Sequence, residues 1–304
     1  MHLLITDSGL GGLSVCAEAE RALRAASPDE GVRITYFNAW PEDASGYNDL
    51  PDVASRARAF DRALASMAAM QPDRIVIACN TLSIVYEHTA FRRAAAIPVL
   101  GIVDCGVDVF HEALTAQPAS SIALFGTRTT IESGVHRDRL VEKGITPRRI
   151  TAVSCHGLAK AIEMDPEGQA IATLIAQCTT TARGADPPGN PLYLGVCCTH
   201  YSYVRDEMRA ALEDRCGRPV QTLDPGARLV AELLRLAERT REGRASSAPT
   251  AEESRTRSRS VTVAVVSKVE MDGHKRRAMA RRVEAVSPPT AAALLSYTRV
   301  PDLF

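Results

Sequence analysis

The stretch Arg74-Ile-Val-Ile-Ala-Cys79-Asn-Thr81 decides the fold, because it is an apolar run of strand length that stops at a cysteine and continues in two small polar residues. The stretch Leu192-Tyr-Leu-Gly-Val-Cys-Cys198-Thr-His200 repeats this arrangement further along the chain. Short apolar runs of this kind are typical of strands buried in a parallel sheet. Ligands bind at the carboxyl ends of such strands. We therefore expect Cys79 and Cys198 to lie at two strand ends and to approach one small molecule from opposite sides.

Apolar runs alternate with amphipathic, helix-like segments along almost the whole chain. This alternation predicts an α/β fold in which parallel sheets are covered by helices on both faces. The predicted strands lie near 2–6, 33–37, 74–78, 98–103, 121–125, 149–153, 192–197, 219–223 and 261–266.

The two halves of the chain resemble each other. Each begins with a strand that runs into a small polar turn, Ile5-Thr-Asp-Ser-Gly9 and Ala123-Leu-Phe-Gly-Thr127, and each reaches a strand that ends in cysteine. We predict two pseudo-symmetric, doubly wound lobes with parallel central sheets and an active site in the cleft between them. The first lobe is expected to contain 1–98 and 222–304, and the second 99–221. The polar segment 240–260 is predicted to be a mobile insertion in the first lobe.

Composition narrows the class of protein. The chain has 304 residues, of which 45% are hydrophobic, and its 36 basic and 36 acidic side chains cancel to a net charge of zero. A neutral chain lacks the positive field that attracts nucleic acid or an anionic membrane. With neither a long apolar run nor a signal peptide at its start, the protein is expected to be cytoplasmic, and most of its eight cysteines are expected to be reduced.

A thiol acts as a base only when it is ionised, and its ordinary pKa of roughly 8.5 leaves a small fraction ionised near neutral pH. Both cysteines precede helix-like segments, whose positive ends would stabilise a thiolate and a substrate carboxylate. His200 could exchange a proton with Cys198, and Asp7 could do so near Cys79. Two thiols placed on either side of one carbon suit the transfer of a proton from one face to the other. Hydrogen-bond donors beside them are Asn80, Thr81 and Thr199.

Three segments resemble the signature segments of glutamate racemases, members of the aspartate/glutamate racemase superfamily. They are Asp7-Ser-Gly-Leu-Gly-Gly-Leu-Ser-Val15, Ala78-Cys-Asn-Thr81 and Cys198-Thr-His-Tyr201. Weaker matches are Gly126 to Gly134 and Cys155 to Glu163, so the likeness extends over nearly the whole chain outside 240–260.

The resemblance implies a cofactor-independent, two-base racemase that converts L-glutamate to D-glutamate for peptidoglycan. One thiolate removes the Cα proton while the other thiol protonates the opposite face, with Cys79 serving the D form and Cys198 the L form. By the same analogy Cys79 is paired with Asp7, and Cys198 with His200 and Glu163. The partners implied are an amino acid substrate and a second copy in a homodimer, with no metal, nucleic acid or membrane. The substrate-binding residues implied are Ser8, Ser45, Gly46, Asn80, Thr81, Thr130 and Thr199.

One loop departs from the family. Glutamate racemases usually carry an aspartate and then Pro-Tyr-Gly after the second strand, where the loop helps to bind the side-chain carboxylate of the substrate. This chain has Ala39 in place of the aspartate and Ala44-Ser45-Gly46 in place of Pro-Tyr-Gly, so that only the glycine persists, with Tyr47 directly after it. Loss of a group that binds a charged carboxylate costs roughly 1.5–3 kcal/mol, which is enough to change the preferred substrate.

Other interpretations stay open at this point. The substrate could be aspartate or another amino acid. A single-thiol isomerase or hydrolase of the same superfamily would use one cysteine as nucleophile and His200 as base. A zinc site on Cys197, Cys198 and His200 lacks the usual ligand spacing, and a ligand-binding protein without catalysis is a further alternative. None of the four lysines follows a glycine- or serine-rich loop at a strand end, which disfavours pyridoxal chemistry.

Overall fold

The computed structural model describes residues 1–26, 31–43, 45–94, 97–182, 190–245 and 260–304. Within these ranges the fold is α/β with two parallel sheets, as predicted, and every predicted strand is present. No helix in the described ranges is long and apolar enough to cross a membrane.

The first sheet has six strands in the order β10-β9-β2-β1-β3-β4, all paired in parallel. The strands are β1 (His2–Asp7), β2 (Val32–Asn38), β3 (Arg74–Ile77), β4 (Val99–Gly101), β9 (Val261–Ser267) and β10 (Thr298–Arg299). Its helices are α1 (Leu13–Ala26), α2 (Val53–Ala69), α3 (Asn80–Tyr86), α4 (Ala90–Ala94), α11 (Gly226–Ala245), α12 (Gly273–Glu284) and α13 (Pro288–Leu295).

The second sheet has four parallel strands in the order β6-β5-β7-β8. Its strands are β5 (Ser121–Gly126), β6 (Ile150–Ser154), β7 (Leu192–Cys197) and β8 (Val220–Leu223). The helices around it are α5 (Ile102–Ala116), α6 (Arg128–Glu132), α7 (Val135–Glu142), α8 (Leu158–Met164), α9 (Gln169–Thr181) and α10 (Arg205–Cys216). Short 3-10 turns lie at Tyr47–Asp49 between β2 and α2, and at Pro147–Arg149 and Thr199–Val204 in the second lobe.

Each sheet is buried on both faces, which explains why its strands read as continuous apolar runs. All six residues of β1, β5 and β7 are buried. Helices α1, α11, α12 and α13 cover one face of the first sheet, and α2 and α3 cover the other. In the second sheet, α8, α9 and α10 pack opposite α5 and α7.

The predicted boundary between 221 and 222 falls within β8, which pairs with β7 in the second sheet. Strand β4 pairs with β3, so the chain leaves the first sheet at Gly101, three residues beyond the predicted boundary at 98. Helix α11 continues to Ala245, past position 240, where the insertion was predicted to begin. The remainder of that segment, 246–259, lies outside the described residues.

The two lobes meet where the glycine-rich turn after β1 packs on the turn after β7. A Cβ atom added at Gly11 would lie 2.8 Å from the backbone nitrogen of His200 and 2.5 Å from its Nδ1. The hydroxyl of Tyr203 donates a hydrogen bond to the carbonyl oxygen of Leu10 at 3.2 Å. A second contact joins the lobes across the cleft, where Thr129 donates to the side-chain oxygen of Asn48 at 2.7 Å.

Gly11→Ala should destabilise the protein by about 1–3 kcal/mol, because the added methyl group collides with the backbone nitrogen of His200 as well as with the buried side chains of His200 and Thr199. Urea unfolding measures this as a lower midpoint. Gly273→Ala is the matched control, since its Cβ would meet only the guanidinium ends of Arg277 and Arg276, and it should leave the midpoint nearly unchanged. Equal midpoints for the two variants would contradict the close approach.

His136 should make the stability depend on pH. Its side chain is buried beside Phe110, its Nε2 has no partner among the described residues, and burial, assisted by the charge of Arg139, lowers its pKa from 6.5 to about 4. Between these two values the unfolded chain binds a proton that the folded chain does not, so the free energy of unfolding falls as the pH decreases from 6.5 towards 4. The loss should approach about 3 kcal/mol.

His136→Phe should remove that contribution, and urea unfolding at pH 7, 5.5 and 4.5 measures it. His88→Phe, at an exposed histidine, is the control and should keep the slope of the parent protein. A variant at position 136 with the parental slope would show that another group titrates.

Candidate functional site

Cys79 lies at the carboxyl end of β3 and caps α3. Its Sγ accepts a hydrogen bond from the backbone N–H of Leu82 at 3.4 Å and lies 3.3 Å from Ser8 Oγ. Ser8 belongs to the turn after β1, the neighbouring strand in the sheet. The parallel register therefore places both residues at the same edge of the first sheet.

Cys198 follows β7 in the second lobe and precedes the 3-10 turn Thr199–Val204. Its Sγ lies 3.9 Å from His200 Nδ1. Cys197, one residue earlier, packs in the core beneath α5, whereas Cys198 packs in the core on the opposite face of the sheet. The two adjacent thiols therefore point to opposite sides, which is unfavourable for the zinc site considered from the sequence.

Asp7 lies behind the two cysteines and connects the lobes. One carboxylate oxygen accepts from the backbone N–H of Gly9 at 3.0 Å, and the other accepts from the hydroxyl of Thr199 at 2.7 Å. Burial raises the pKa of Asp7. Burial also raises the pKa of Cys79, and the charge of Asp7 raises it further. A thiolate at Cys79 is therefore costly when no substrate is bound.

His200 is held by a buried network on the other side of the cavity. Its Nε2 lies 2.6 Å from Glu163 Oε2, which also accepts from the backbone N–H of Leu10 at 3.0 Å. The ammonium of Lys275 donates to Glu163 Oε1. Burial would raise the pKa of Glu163, but the charge of Lys275 and the hydrogen bond from His200 outweigh it and hold the pKa at about 2. The pKa of His200 is raised despite burial, through its hydrogen bonds to Cys198 and Glu163.

The two cysteines line one cavity of about 240 Å³, and nine of the twelve predicted site residues are in its wall. They are Ser8, Gly46, Cys79, Asn80, Thr81, Glu163, Cys198, Thr199 and His200.

Three predicted site residues do not line the cavity. Asp7 lies behind Ser8 and Thr199, and Thr130 supports Thr81 from behind at 3.2 Å between hydroxyl oxygens. Ser45 is not in the wall, and its backbone pairs with Glu42 in an isolated bridge. We expect Asp7 and Thr130 to act through the residues they contact.

Three threonine hydroxyls converge beside Cys79. Thr81 Oγ1 lies 3.1 Å from Thr127 Oγ1, and Thr127 and Thr130 are 3.0 Å apart. Thr81 lies in the first turn of α3 in the first lobe, and Thr127 caps α6 in the second lobe. Both lobes therefore contribute to this cluster. The Oδ1 atom of Asn80 is buried beside it without a partner among the described residues. This corner of the cavity can donate to a carboxylate and accept from an ammonium group.

The altered loop closes another side of the cavity. Trp40 lies against Gly46, where an added Cβ would be 3.0 Å from the indole ring. The backbone N–H of Gly46 donates to Asp49 Oδ2 at 2.8 Å, and Tyr47 is buried against Phe60. A carboxylate of the protein therefore already occupies the amide of the one glycine that this loop shares with the family.

The sequence alone did not point to several other residues in the wall. Arg128, His156 and Lys160 are exposed at the cavity, and Trp40, Asn48, Asp49 and Cys155 also line it. Arg128 carries a detectable signal, because it directly follows the polar turn after β5. Lys275, which contacts Glu163, has no such signal, because nothing in the sequence of α12 relates it to position 163.

A sequence model of the Asp/Glu/Hydantoin racemase family matches residues 4–233. A glutamate racemase of Streptococcus suis is 27% identical over 230 residues, covering 75% of this chain and 78% of the relative. One from Granulibacter bethesdensis is 28% identical over 240 residues, covering 78% of each chain.

Solved structures share the fold. The glutamate racemase of Francisella tularensis in complex with D-glutamate has a TM-score of 0.63 at 17% identity, covering 99% of this chain and 98% of that one. The Escherichia coli enzyme, in complex with L-glutamate and the activator UDP-MurNAc-Ala, has a TM-score of 0.62 at 19% identity, covering 94% and 95%. With the family model matching most of its length, the chain belongs to the Asp/Glu/Hydantoin racemase family, and it is a racemase of the kind that does not depend on pyridoxal phosphate.

Proposed function

We propose that this protein interconverts the enantiomers of an acidic amino acid, with glutamate as the first candidate, by two-base catalysis on Cys79 and Cys198. The observation that carries the proposal is that the two thiols reach one cavity from different lobes, each with its own acid–base partner. The glutamate racemases to which the chain is similar support the choice of substrate.

In the proposed reaction, the thiolate of Cys79 takes the Cα proton of the D form while the thiol of Cys198 donates its proton to the opposite face. The product is the L form, and Cys79 is left as thiol and Cys198 as thiolate. The reverse reaction uses the same groups in exchanged roles. His200, 3.9 Å from Cys198 Sγ, returns a proton to that thiolate, and Asp7 accepts one on the side of Cys79 through Ser8.

The polar groups of the cavity suit an amino acid. The hydroxyls of Thr81 and Thr127 and the positive end of α3 would bind the α-carboxylate. The unpartnered Oδ1 of Asn80 would accept from the ammonium group. The exposed cations Arg128 and Lys160 would attract a second carboxylate. These assignments together favour an acidic side chain.

A second candidate is racemisation of an amino acid other than glutamate, such as aspartate. It is favoured by Asp49, which accepts from the Gly46 N–H in the loop that the family resemblance relates to the side-chain carboxylate. Recognition of the side-chain carboxylate would then depend on Arg128 and Lys160. A shorter acidic substrate would meet the two thiols in the same way.

We also propose where the reaction takes place, what its product is used for and how many copies of the chain form the active protein. D-Glutamate made in the cytoplasm would be consumed in peptidoglycan synthesis, and the active protein would be a homodimer. The support for these points is the resemblance to glutamate racemases.

The central test is incubation with L- and D-glutamate and L- and D-aspartate in deuterated water, following optical rotation and deuterium at Cα by NMR. We expect racemisation with deuterium entering Cα, and a loss of at least about 10²-fold in both Cys79→Ala and Cys198→Ala. Cys216→Ala is the control, because this thiol lies at the end of α10, outside the cavity, and it should retain activity.

The other outcomes separate the alternatives. Substantial turnover in one of the two alanine variants would indicate a single-thiol enzyme. Faster turnover of aspartate than of glutamate would establish the second candidate. Absence of exchange with all four compounds would refute the proposal.

Asp7→Asn should change Cys79 in two opposite ways. Removing the charge of Asp7 lowers the pKa of Cys79, so the thiolate forms at lower pH and iodoacetamide should label Cys79 faster between pH 7 and 8. Racemisation should nevertheless fall, because the proton acceptor is lost. Mass spectrometry of the labelled peptide measures the first effect and polarimetry the second.

Asp49→Asn is the control for this pair of measurements, since Asp49 lines the same cavity but is engaged with Gly46. It should leave the labelling rate of Cys79 unchanged. Slower or unchanged labelling in Asp7→Asn would show that the charge of Asp7 does not act on Cys79.

A further inference from the structure

Lys275 is the one lysine or arginine, among the described residues, that forms an ion pair with a carboxylate lining the cavity. It lies in the first turn of α12, where Asp272 accepts the backbone N–H groups of His274 and Lys275. Its side chain is only 14% exposed and its partner Glu163 only 4%. Its ammonium is also 5.6 Å from the centre of the Trp40 ring, which lines the same cavity. A largely buried cation that contacts both Glu163 and Trp40 interacts more strongly with its neighbours than a solvent-exposed surface charge does.

We propose that Lys275 is a positioning residue that keeps Glu163 ionised and thereby sets which nitrogen of His200 carries the proton that matters for Cys198. This inference rests on the proposed two-thiol function. Lys275 itself does not touch the thiols, and it acts through Glu163 and His200.

The hydrogen bond between Glu163 and His200 differs between the ionised and the protonated state of Glu163. An ionised carboxylate only accepts hydrogen bonds, so His200 Nε2 must carry hydrogen and donate to it across 2.6 Å. Nδ1 then faces Cys198 Sγ, so His200 can donate the Nδ1 proton to the thiolate when both ring nitrogens carry hydrogen, the state that its raised pKa favours, and can take the proton back when only Nε2 carries hydrogen. A protonated Glu163 could instead donate to Nε2, which would move the ring hydrogen to Nδ1. In that tautomer the ring could not accept the Cys198 proton.

Burial favours the protonated carboxyl, so a positive charge is needed to keep Glu163 ionised. Lys275 supplies it at Oε1, on the side of the carboxylate away from His200. The other titratable groups that act on or with Glu163 are His200 from the 3-10 turn after β7, Asp7 from the end of β1, Tyr36 from β2 and Tyr203 from the 3-10 turn. Of these only His200 can carry a positive charge, and that charge changes as His200 exchanges a proton with Cys198, so Lys275 supplies the charge that stays in place during the exchange. The turn after β1 fits around the pair, since a Cβ at Gly9 would lie 2.2 Å from Glu163 Oε2.

The main variant is Lys275→Met, which keeps length and removes charge, with Lys275→Arg as the conservative rescue. We expect Lys275→Met to lower kcat by about tenfold to a hundredfold with little change in KM. The acid limb of the pH profile should move upward by about one pH unit or more, because Glu163 becomes protonated at higher pH. Lys275→Arg should restore the parental limb.

Lys268→Met is the matched control. Lys268 binds the carbonyl oxygen of Pro41 and the carboxylate of Glu42, so it holds the same loop as Trp40 without contacting Glu163. It should leave the acid limb in place. A Lys275→Met enzyme that is slower but keeps the parental acid limb would overturn the proposal and indicate a merely structural role.

A readout independent of turnover is the ¹⁵N spectrum of the histidine rings in the substrate-free protein, with His200 assigned through His200→Gln. The parent should carry hydrogen on Nε2 of His200 throughout, and Lys275→Met should gain the Nδ1-protonated form near neutral pH. Glu163→Gln imitates the protonated carboxyl and should produce the same change even if Lys275→Met fails to fold. An unaltered His200 spectrum in these variants would refute the role of Lys275, whereas a parent without racemase activity would refute the proposed function alone.

Discussion

The close approach of two turns is the constraint on which the rest of the site depends. Glycines at positions 9 and 11 let the turn after β1 approach Glu163 and the backbone of His200 more closely than any side chain would allow. This contact brings the carboxylate of Asp7 to Thr199 and the amide of Leu10 to Glu163. The acid–base groups of one lobe are therefore oriented by backbone of the other, and the cavity between the cysteines is defined by that contact.

The two thiols occupy related positions in the two sheets, but their surroundings differ. Cys79 caps a helix beside Ser8 and the buried charge of Asp7, which opposes ionisation of the thiol. Cys198 faces an imidazole whose pKa is raised through its hydrogen bonds to that thiol and to Glu163. Pseudo-symmetry of the fold thus supplies equivalent positions for the sulfur atoms, while the neighbouring side chains make the two halves of the site chemically unequal.

The loop after β2 departs from the family pattern, although both strand-end cysteines line the cavity. Gly46 still lies at the cavity, yet Asp49 has taken its N–H and Trp40 covers its Cα. Arg128 and Lys160, two exposed cations that line the cavity, come from α6 and α8 of the second lobe. Recognition of a substrate side chain is consequently expected to come from the second lobe rather than from the loop after β2.

The sequence by itself determined the α/β class, the strands and the strand-end positions of Cys79 and Cys198, because buried parallel strands produce continuous apolar runs that end in short polar turns. It also indicated nine of the residues that line the cavity, since these follow directly on such strands or match family motifs. Only the tertiary structure placed Lys275 beside Glu163, 112 positions apart in the chain, and showed that Ser45 does not line the cavity while Asp49 occupies the Gly46 amide. These contacts join elements whose separation along the chain carries no local pattern, so they are decided by how the helices and loops pack around the sheets.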